Sequence, residues 1–332
     1  MKQRFMKAGI PMSVAILCVG LFGCAAPGGN TRADYSNVFD VPNESEPWSS
    51  RVSSAAGQEE MVRAGRGTNV QGLPERKMTA AEHESLGDGY YGRGELQPAF
   101  VHYEKALKLE PENHRVQYKK GLLFLEGKMH REAMQTFEDL VKKAPDYALG
   151  YEGLGRTHFY REDYAKAEEY LHKALKLDPQ LWSAYNLLGV ILDYKKNHAR
   201  ATYEYRKAIA LNPDNGMLYN NLGVSYALLG NNEEAVEAFR DGVRKAAVER
   251  KKIYNNLGVV LAKMGRYQEA LDAFRKGGDE AKAYNNLGCA YQQQGQTQKA
   301  VRCFEKAIEV SPAYYALAGE NLQRAKGAQL SR

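Results

Sequence analysis

Beyond about residue 79, apolar and polar positions follow a helical period, broken at short intervals by turn residues. In residues 216–247, Met217, Asn220, Asn221 and Val224 recur at three- and four-residue steps, as do Tyr219, Leu222, Gly223 and Tyr226. That spacing predicts one helix with two defined faces. Gly230-Asn231-Asn232 then carries turn chemistry, and Glu233 and Glu234 complement the positive end of a second helix. Along that helix Ala235, Phe239 and Gly242 fall at i, i+4 and i+7 and form its inner stripe. The unit is a helical hairpin.

The hairpin recurs. Gly87, Gly121, Gly155, Gly189, Gly223, Gly258 and Gly288 are spaced by 34, 34, 34, 34, 35 and 30 residues, the mark of a stacked repeat. Twelve residues after each glycine stands an alanine: Ala99, Ala133, Ala167, Ala201, Ala235, Ala270 and Ala300. Four residues further stands a large side chain: Tyr103, Phe137, Leu171, Tyr205, Phe239, Phe274 and Phe304. Pro111, Pro145, Pro179, Pro213 and Pro312 close five of the periods. An all-α solenoid of about seven hairpins is expected over residues 79–312, each hairpin leaning on its neighbours to bury its own face. The interval of 30 predicts a short second helix in the sixth unit, around Lys276-Gly277-Gly278-Asp279. Within 313–332, Tyr314 to Ala328 is expected to form a capping helix with Leu317 and Leu322 inward.

Tyr284, Leu287, Gly288, Tyr291, Ala300, Phe304, Ala307 and Pro312 fill every slot of a known signature, so residues 80 to 312 resemble the tetratricopeptide repeat. Local departures are Lys120, Leu140 and an Ala247 where proline is usual. The resemblance implies a right-handed superhelix that binds a protein or peptide, without catalysis.

The chain opens differently. Met1 to Lys7 is basic and Ala8 to Phe22 is apolar but short for a membrane span, so 1–23 reads as a signal peptide. Leu21-Phe22-Gly23-Cys24 resembles the bacterial lipobox, which implies lipid attachment at Cys24; Phe22 departs from the usual small residue. Neither Ala25 nor Ala26 is acidic, which by the same resemblance favours a periplasm-facing anchor in the outer membrane. Residues 24–78 are rich in Gly, Ser, Asn, Pro and Arg and read as a flexible tether.

Charge and chemistry narrow the functional class. The formal charge of +6 falls to +3 without Lys2, Arg4 and Lys7, and no basic stripe points to nucleic acid. Gly87-Asp88-Gly89-Tyr90-Tyr91-Gly92 spells G-x-G-x-x-G, but no strand precedes it and Gly87 already holds the repeat's packing slot. The seven histidines form no paired helix-face motif. No catalytic set, metal site, cofactor or small-molecule substrate is expected. Cys289 and Cys303 lie on successive helices of one hairpin, as two thiols or a disulfide.

Asparagine is the conspicuous polar residue. Tyr219-Asn220-Asn221-Leu222-Gly223, Tyr254-Asn255-Asn256-Leu257-Gly258 and Tyr284-Asn285-Asn286-Leu287-Gly288 repeat one string, and Tyr185-Asn186-Leu187-Leu188-Gly189 copies it in part. Two readings stay open. Asn186, Asn220, Asn221, Asn255, Asn256, Asn285 and Asn286 could line the concave face and pair with a peptide backbone, as in tetratricopeptide proteins with an asparagine ladder. Alternatively the asparagines before Leu-Gly bond between neighbouring hairpins. Met217, Val224, Val259 and Cys289 would make the groove floor partly apolar, and Tyr118, Phe159, Tyr160 and Tyr194 suggest an aromatic surface earlier. A lipid-anchored array also resembles the tetratricopeptide lipoproteins that serve as secretin pilotins, and the last two units, with Phe274-Arg275-Lys276-Gly277 leading to Tyr284-Asn285-Asn286-Leu287-Gly288-Cys289, resemble the lipoprotein of tight-adherence (Flp) pilus systems. This implies a scaffold for pilus or secretion assembly, the alternative being an adaptor of cell-wall enzymes.

Overall fold

The structure is a computed structural model that describes residues 77–246, 250–311 and 316–330. Cys24, the signal peptide, the tether up to residue 76, Ala247 and Pro312 lie outside the described residues. Fifteen α-helices and no strands are present among the described residues. They are α1 (Ala80–Gly92), α2 (Leu96–Leu109), α3 (His114–Glu126), α4 (His130–Lys143), α5 (Ala148–Tyr160), α6 (Tyr164–Leu177), α7 (Trp182–Tyr194) and α8 (His198–Leu211). Then follow α9 (Gly216–Leu229), α10 (Asn232–Lys245), α11 (Arg250–Lys263), α12 (Tyr267–Gly277), α13 (Glu280–Gln293), α14 (Thr297–Glu309) and α15 (Ala316–Leu330). Two compact units divide inside α7, between Ile191 and Leu192.

Local chemistry sets the helix ends. Thr79 accepts from the Glu82 amide while the Glu82 carboxylate accepts from the Thr79 amide, a capping box at the start of the array. Asn113, Asp163, Asn215 and Asp279 cap α3, α6, α9 and α13 with side-chain oxygens. Seven residues after each repeat glycine the backbone turns left-handed, at Gly94, Lys128, Glu162, Lys196, Gly230, Gly265 and Gly295. Three of those turns carry a side chain in a conformation that favours glycine.

In the unit before residue 192, α1–α2, α3–α4 and α5–α6 pack as hairpins. A Cβ on Gly87 would lie 2.5 Å from the Tyr103 ring, and one on Gly121 would lie 2.4 Å from the Phe137 ring. In the unit from 192 onward, α9–α10, α11–α12 and α13–α14 are the hairpins, and the first helices α9, α11, α13 and α15 lie side by side. Here Gly223, Gly258 and Gly288 receive Phe239, Phe274 and Phe304, at 2.7, 2.6 and 2.6 Å from the missing Cβ. The repeat glycine is thus the seat of the aromatic sixteen residues on. All of these rings are at most 1% exposed, and burying each stabilises by about 1.5–3 kcal/mol.

The sixth unit is short: α12 has 11 residues against 14 in α10. Helix α15 covers the end of the last hairpin, with only part of the predicted face. Ala318, Asn321 and Ala325 are fully buried and Leu322 packs against the cluster of Cys289, Ala300, Phe304 and Ala325, whereas Leu317 is 41% exposed. Leu317 precedes Ala318 by one residue, about 100° of helical rotation, which turns it off the inner stripe.

Candidate functional site: the first-helix face and the second-helix grooves

One polar relationship recurs along the first helices. The residue three places before a repeat glycine bonds to the residue two places before the next. Asn256 Nδ2 donates to Asn220 Oδ1 at 2.8 Å, joining α9 to α11. At the end of the array Asn321 Nδ2 donates to Asn285 Oδ1 at 2.8 Å, so α15 takes the same slot. In the earlier unit the pair is ionic: Lys119 Nζ lies 2.7 Å from Glu84 Oε1, with Arg115 Nη2 at 2.6 Å from Glu84 Oε2. These pairs span 35 or 36 residues, one repeat.

Burial makes the pairing matter. Asn220, Asn256, Asn285 and Asn321 are at most 3% exposed, and a buried amide left unpaired costs about 1–3 kcal/mol. Asn186 and Asn221 are also buried, at 5% and 8% exposure. Asn255 and Asn286 stay half-buried. In the shortened unit Asn255 Nδ2 donates to the Gly277 carbonyl at 3.3 Å, and a Cβ on Gly277 would meet Asn255 Oδ1 at 2.3 Å. The structure therefore joins four of these asparagine amides in pairs between neighbouring helices and leaves Asn255 and Asn286 in reach of solvent. Met217, Val224 and Val259 are half-buried, while Cys289 is buried, with its Sγ 3.7 Å from Asn321 Nδ2.

Before residue 192 the first-helix face carries charge and aromatics. Glu152 is fully buried, accepting from Tyr118 Oη at 2.6 Å and from Arg156 Nε at 2.5 Å. Burial and the neighbouring Glu152 push the Tyr118 hydroxyl well above its ordinary range. Burial likewise raises Tyr160, to about 12, although the Arg156 charge works against the shift. Phe159 joins the core.

A second kind of surface lies between successive second helices, and sequence reasoning did not foresee it. A cavity of about 470 Å³ has Tyr219, Leu222 and Tyr226 of α9 as its floor. Arg206 and Ile209 of α8 form one wall, and Glu234, Glu237 and Asp241 of α10 form the other. A neighbouring cavity of about 410 Å³ repeats it, with Tyr254, Leu257 and Leu261 of α11 below. Its walls are Arg240, Val243 and Arg244 of α10 and Glu269, Asp272 and Lys276 of α12.

The remaining reactive groups are held in structural roles. Asp193 accepts from Ser225 Oγ at 2.8 Å and Tyr205 Oη at 3.0 Å, and its Oδ1 lies 2.8 Å from His198 Nδ1. Ser225, fully buried, bonds the aspartate and the His198 carbonyl, not the imidazole, so this trio has no nucleophile–base pair. Cys303 is a free thiol, pushed up to about 11 by burial, so the Cys289–Cys303 disulfide is not formed. Among the described residues no group of three or more His, Cys, Asp or Glu could hold a metal, and no helix is long and apolar enough to cross a membrane.

Stacked helical hairpins with a glycine-seated aromatic and a capping helix define an all-α repeat protein. Tetratricopeptide-repeat family models match residues 115–147, 153–216, 204–237, 252–277 and 281–314, and the hairpins are tetratricopeptide repeats. The chain is 30% identical over 100 residues to the Hsp70-Hsp90 organizing protein of Triticum aestivum, covering 30% of this chain but only 17% of that protein. In structure it is similar to the APC/C hetero-tetramer Cut9-Hcn1, with a TM-score of 0.56, 18% identity, and coverage of 84% of this chain and 53% of that one. It is also similar to PilW, described as a widely conserved type IV pilus biogenesis factor. There the TM-score is 0.51 and identity 19%, over 60% of this chain and 91% of that chain. At those identities the likeness is of fold.

Proposed function

We propose that this protein is a non-catalytic scaffold of the bacterial envelope, which holds a segment of a partner protein against its first-helix face during pilus or secretion-complex assembly. Tetratricopeptide repeats are protein-interaction modules, and the single observation that carries the reading is how this face is built. The pairs Asn220–Asn256 and Asn285–Asn321 fix neighbouring first helices, while Asn255, Asn286, Met217, Val224 and Val259 remain half-buried. A rigid face with partly apolar, partly amide chemistry suits an extended peptide, whose backbone can exchange hydrogen bonds with an amide. On this reading Asn255 and Asn286 touch the peptide, and Asn220, Asn221, Asn256 and Asn285 form the wall behind them.

The envelope part rests on sequence. Leu21-Phe22-Gly23-Cys24 would give a lipid on Cys24, with residues 25–78 as the tether to an outer-membrane, periplasm-facing domain. Affinity isolation of the full-length protein from envelopes should recover a secretin or pilus-assembly component, and Val259→Glu should lose it. Recovery of cell-wall hydrolases or transpeptidases, undiminished by Val259→Glu, would overturn the proposal.

A further inference from the structure

The two cavities between second helices are copies of one site. Tyr219, Leu222 and Tyr226 correspond to Tyr254, Leu257 and Leu261, 35 residues on, and Glu234 and Glu237 correspond to Glu269 and Asp272. Each has an apolar, tyrosine-bearing floor, a basic wall from the preceding second helix and an acidic wall from its own. The charge order follows from α10. Glu234, Glu237 and Asp241, at three- and four-residue steps, form one flank, while Arg240, Val243 and Arg244 form the other. Two bases depart from that order: Lys276 in the second groove, whose Nζ lies 5.6 Å over the Tyr254 ring, and Arg266, which lines the first beside its glutamates.

We infer that these paired grooves dock an amphipathic α-helix of a partner protein, with an apolar ridge flanked by acidic residues on one side and basic residues on the other. The charge pattern selects that occupant. An extended strand sends successive side chains to opposite faces, so it cannot present an apolar ridge between two different charged flanks. A helix presents three adjacent stripes, and its ridge fits the groove between two helices. The floor from Tyr219 to Tyr226 runs about 10 Å, roughly two helical turns. Acids facing the Arg206 and Arg240 walls and bases facing the Glu234 and Glu269 walls also fix the direction of the docked helix. Existing charges do not bar entry. Arg240 reaches Glu269 at 3.6 Å across the second groove, but both side chains are about half-exposed and such pairs contribute little. This surface is separate from the first-helix face, so an adaptor could hold two partners together.

The test titrates full-length protein into three labelled helical peptides of about 18 residues with the same leucine ridge. One has mixed flanks, one is flanked by lysine alone and one by glutamate alone. The mixed peptide should bind at least about tenfold tighter than either other, because only it satisfies both walls. In Arg206→Glu with Arg240→Glu the mixed peptide should weaken about tenfold and the lysine peptide should become the tightest, a gain that misfolding cannot produce. Equal binding of all three peptides, no saturable binding, or an unchanged ranking in the variant would overturn the inference. So would a dimer of this chain that the mixed peptide displaces. Those failures would leave the first-helix reading standing, since Val259 lines neither groove.

Discussion

Asn256 on α11 donates its amide hydrogen to Asn220 on α9, 36 residues earlier, and both side chains are buried. The bond acts as a latch between two hairpins. Replacing Asn256 by Ala strands the Asn220 amide and should cost about 1–3 kcal/mol. Leucine at both positions removes the stranded group and should cost less than the sum of the single changes. Urea denaturation of the singles and the double measures the coupling; additivity within about 0.5 kcal/mol would mean that the latch does not hold.

The seat of the aromatic gives a sharper steric expectation. Gly223→Ala places a methyl 2.7 Å from the Phe239 ring and should destabilise by about 1–3 kcal/mol through overpacking. Adding Phe239→Leu should recover part of that loss, as Gly155 already seats Leu171. Thermal melts of the three proteins check it.

Lys128 adopts φ 59° where four sibling turns use glycine. Lys128→Gly relieves a left-handed strain at the expense of unfolded-state entropy, for a net gain of about 0.5–1 kcal/mol. A lower denaturation midpoint in this variant would contradict the strain argument.

Acid sensitivity should begin in the first hairpin. His83 Nδ1 lies 3.1 Å from His102 Nδ1, and burial, followed by the nearby Lys105 charge, holds both rings below the usual 6.5. A folded pKa below the unfolded one means that the folded chain binds fewer protons. The stability from these groups is therefore full above about 6.5 and is lost as pH falls. Glu84 acts in a lower window. Burial works to raise its carboxyl, but hydrogen bonds from Arg115 and Lys119 hold it below 4.5, so its contribution is lost below that range. The melting temperature should drop between about pH 7.5 and about pH 5.5, and His83→Gln with His102→Gln should flatten that drop.

The glycine–alanine–aromatic period made the hairpins legible because each contact lies within one unit. Thus Gly223 and Phe239 are sixteen residues apart in every regular copy. The latch was half legible. The repeated Tyr-Asn-Asn-Leu-Gly string announced a column of amides, but whether Asn220 faces a ligand or the next helix depends on the stacking of successive hairpins. The Glu84–Lys119 pair hid the same rule under different residue types, and Asn321 completed it from a helix outside the repeat period. Leu317 misled because apolarity alone selected it, whereas alanines and an asparagine form the inner stripe of α15. The second-helix grooves were invisible in any single unit, because each takes its basic wall from one repeat and its acidic wall from the next.

A lipid on Cys24 should hold the whole protein at the membrane. Cys24→Ser should move it to the soluble periplasmic fraction; continued sedimentation with membranes would contradict the anchor.

A partner segment lying along the first helices should be within reach of Val259. A photo-crosslinking amino acid at position 259, in the full-length protein in intact envelopes, can capture that segment. A crosslink to one segment of a pilus or secretion component is expected, weakened when Asn255 and Asn286 are both changed to Ala. No crosslink at 259, or one to a folded cell-wall enzyme that ignores those changes, would contradict it.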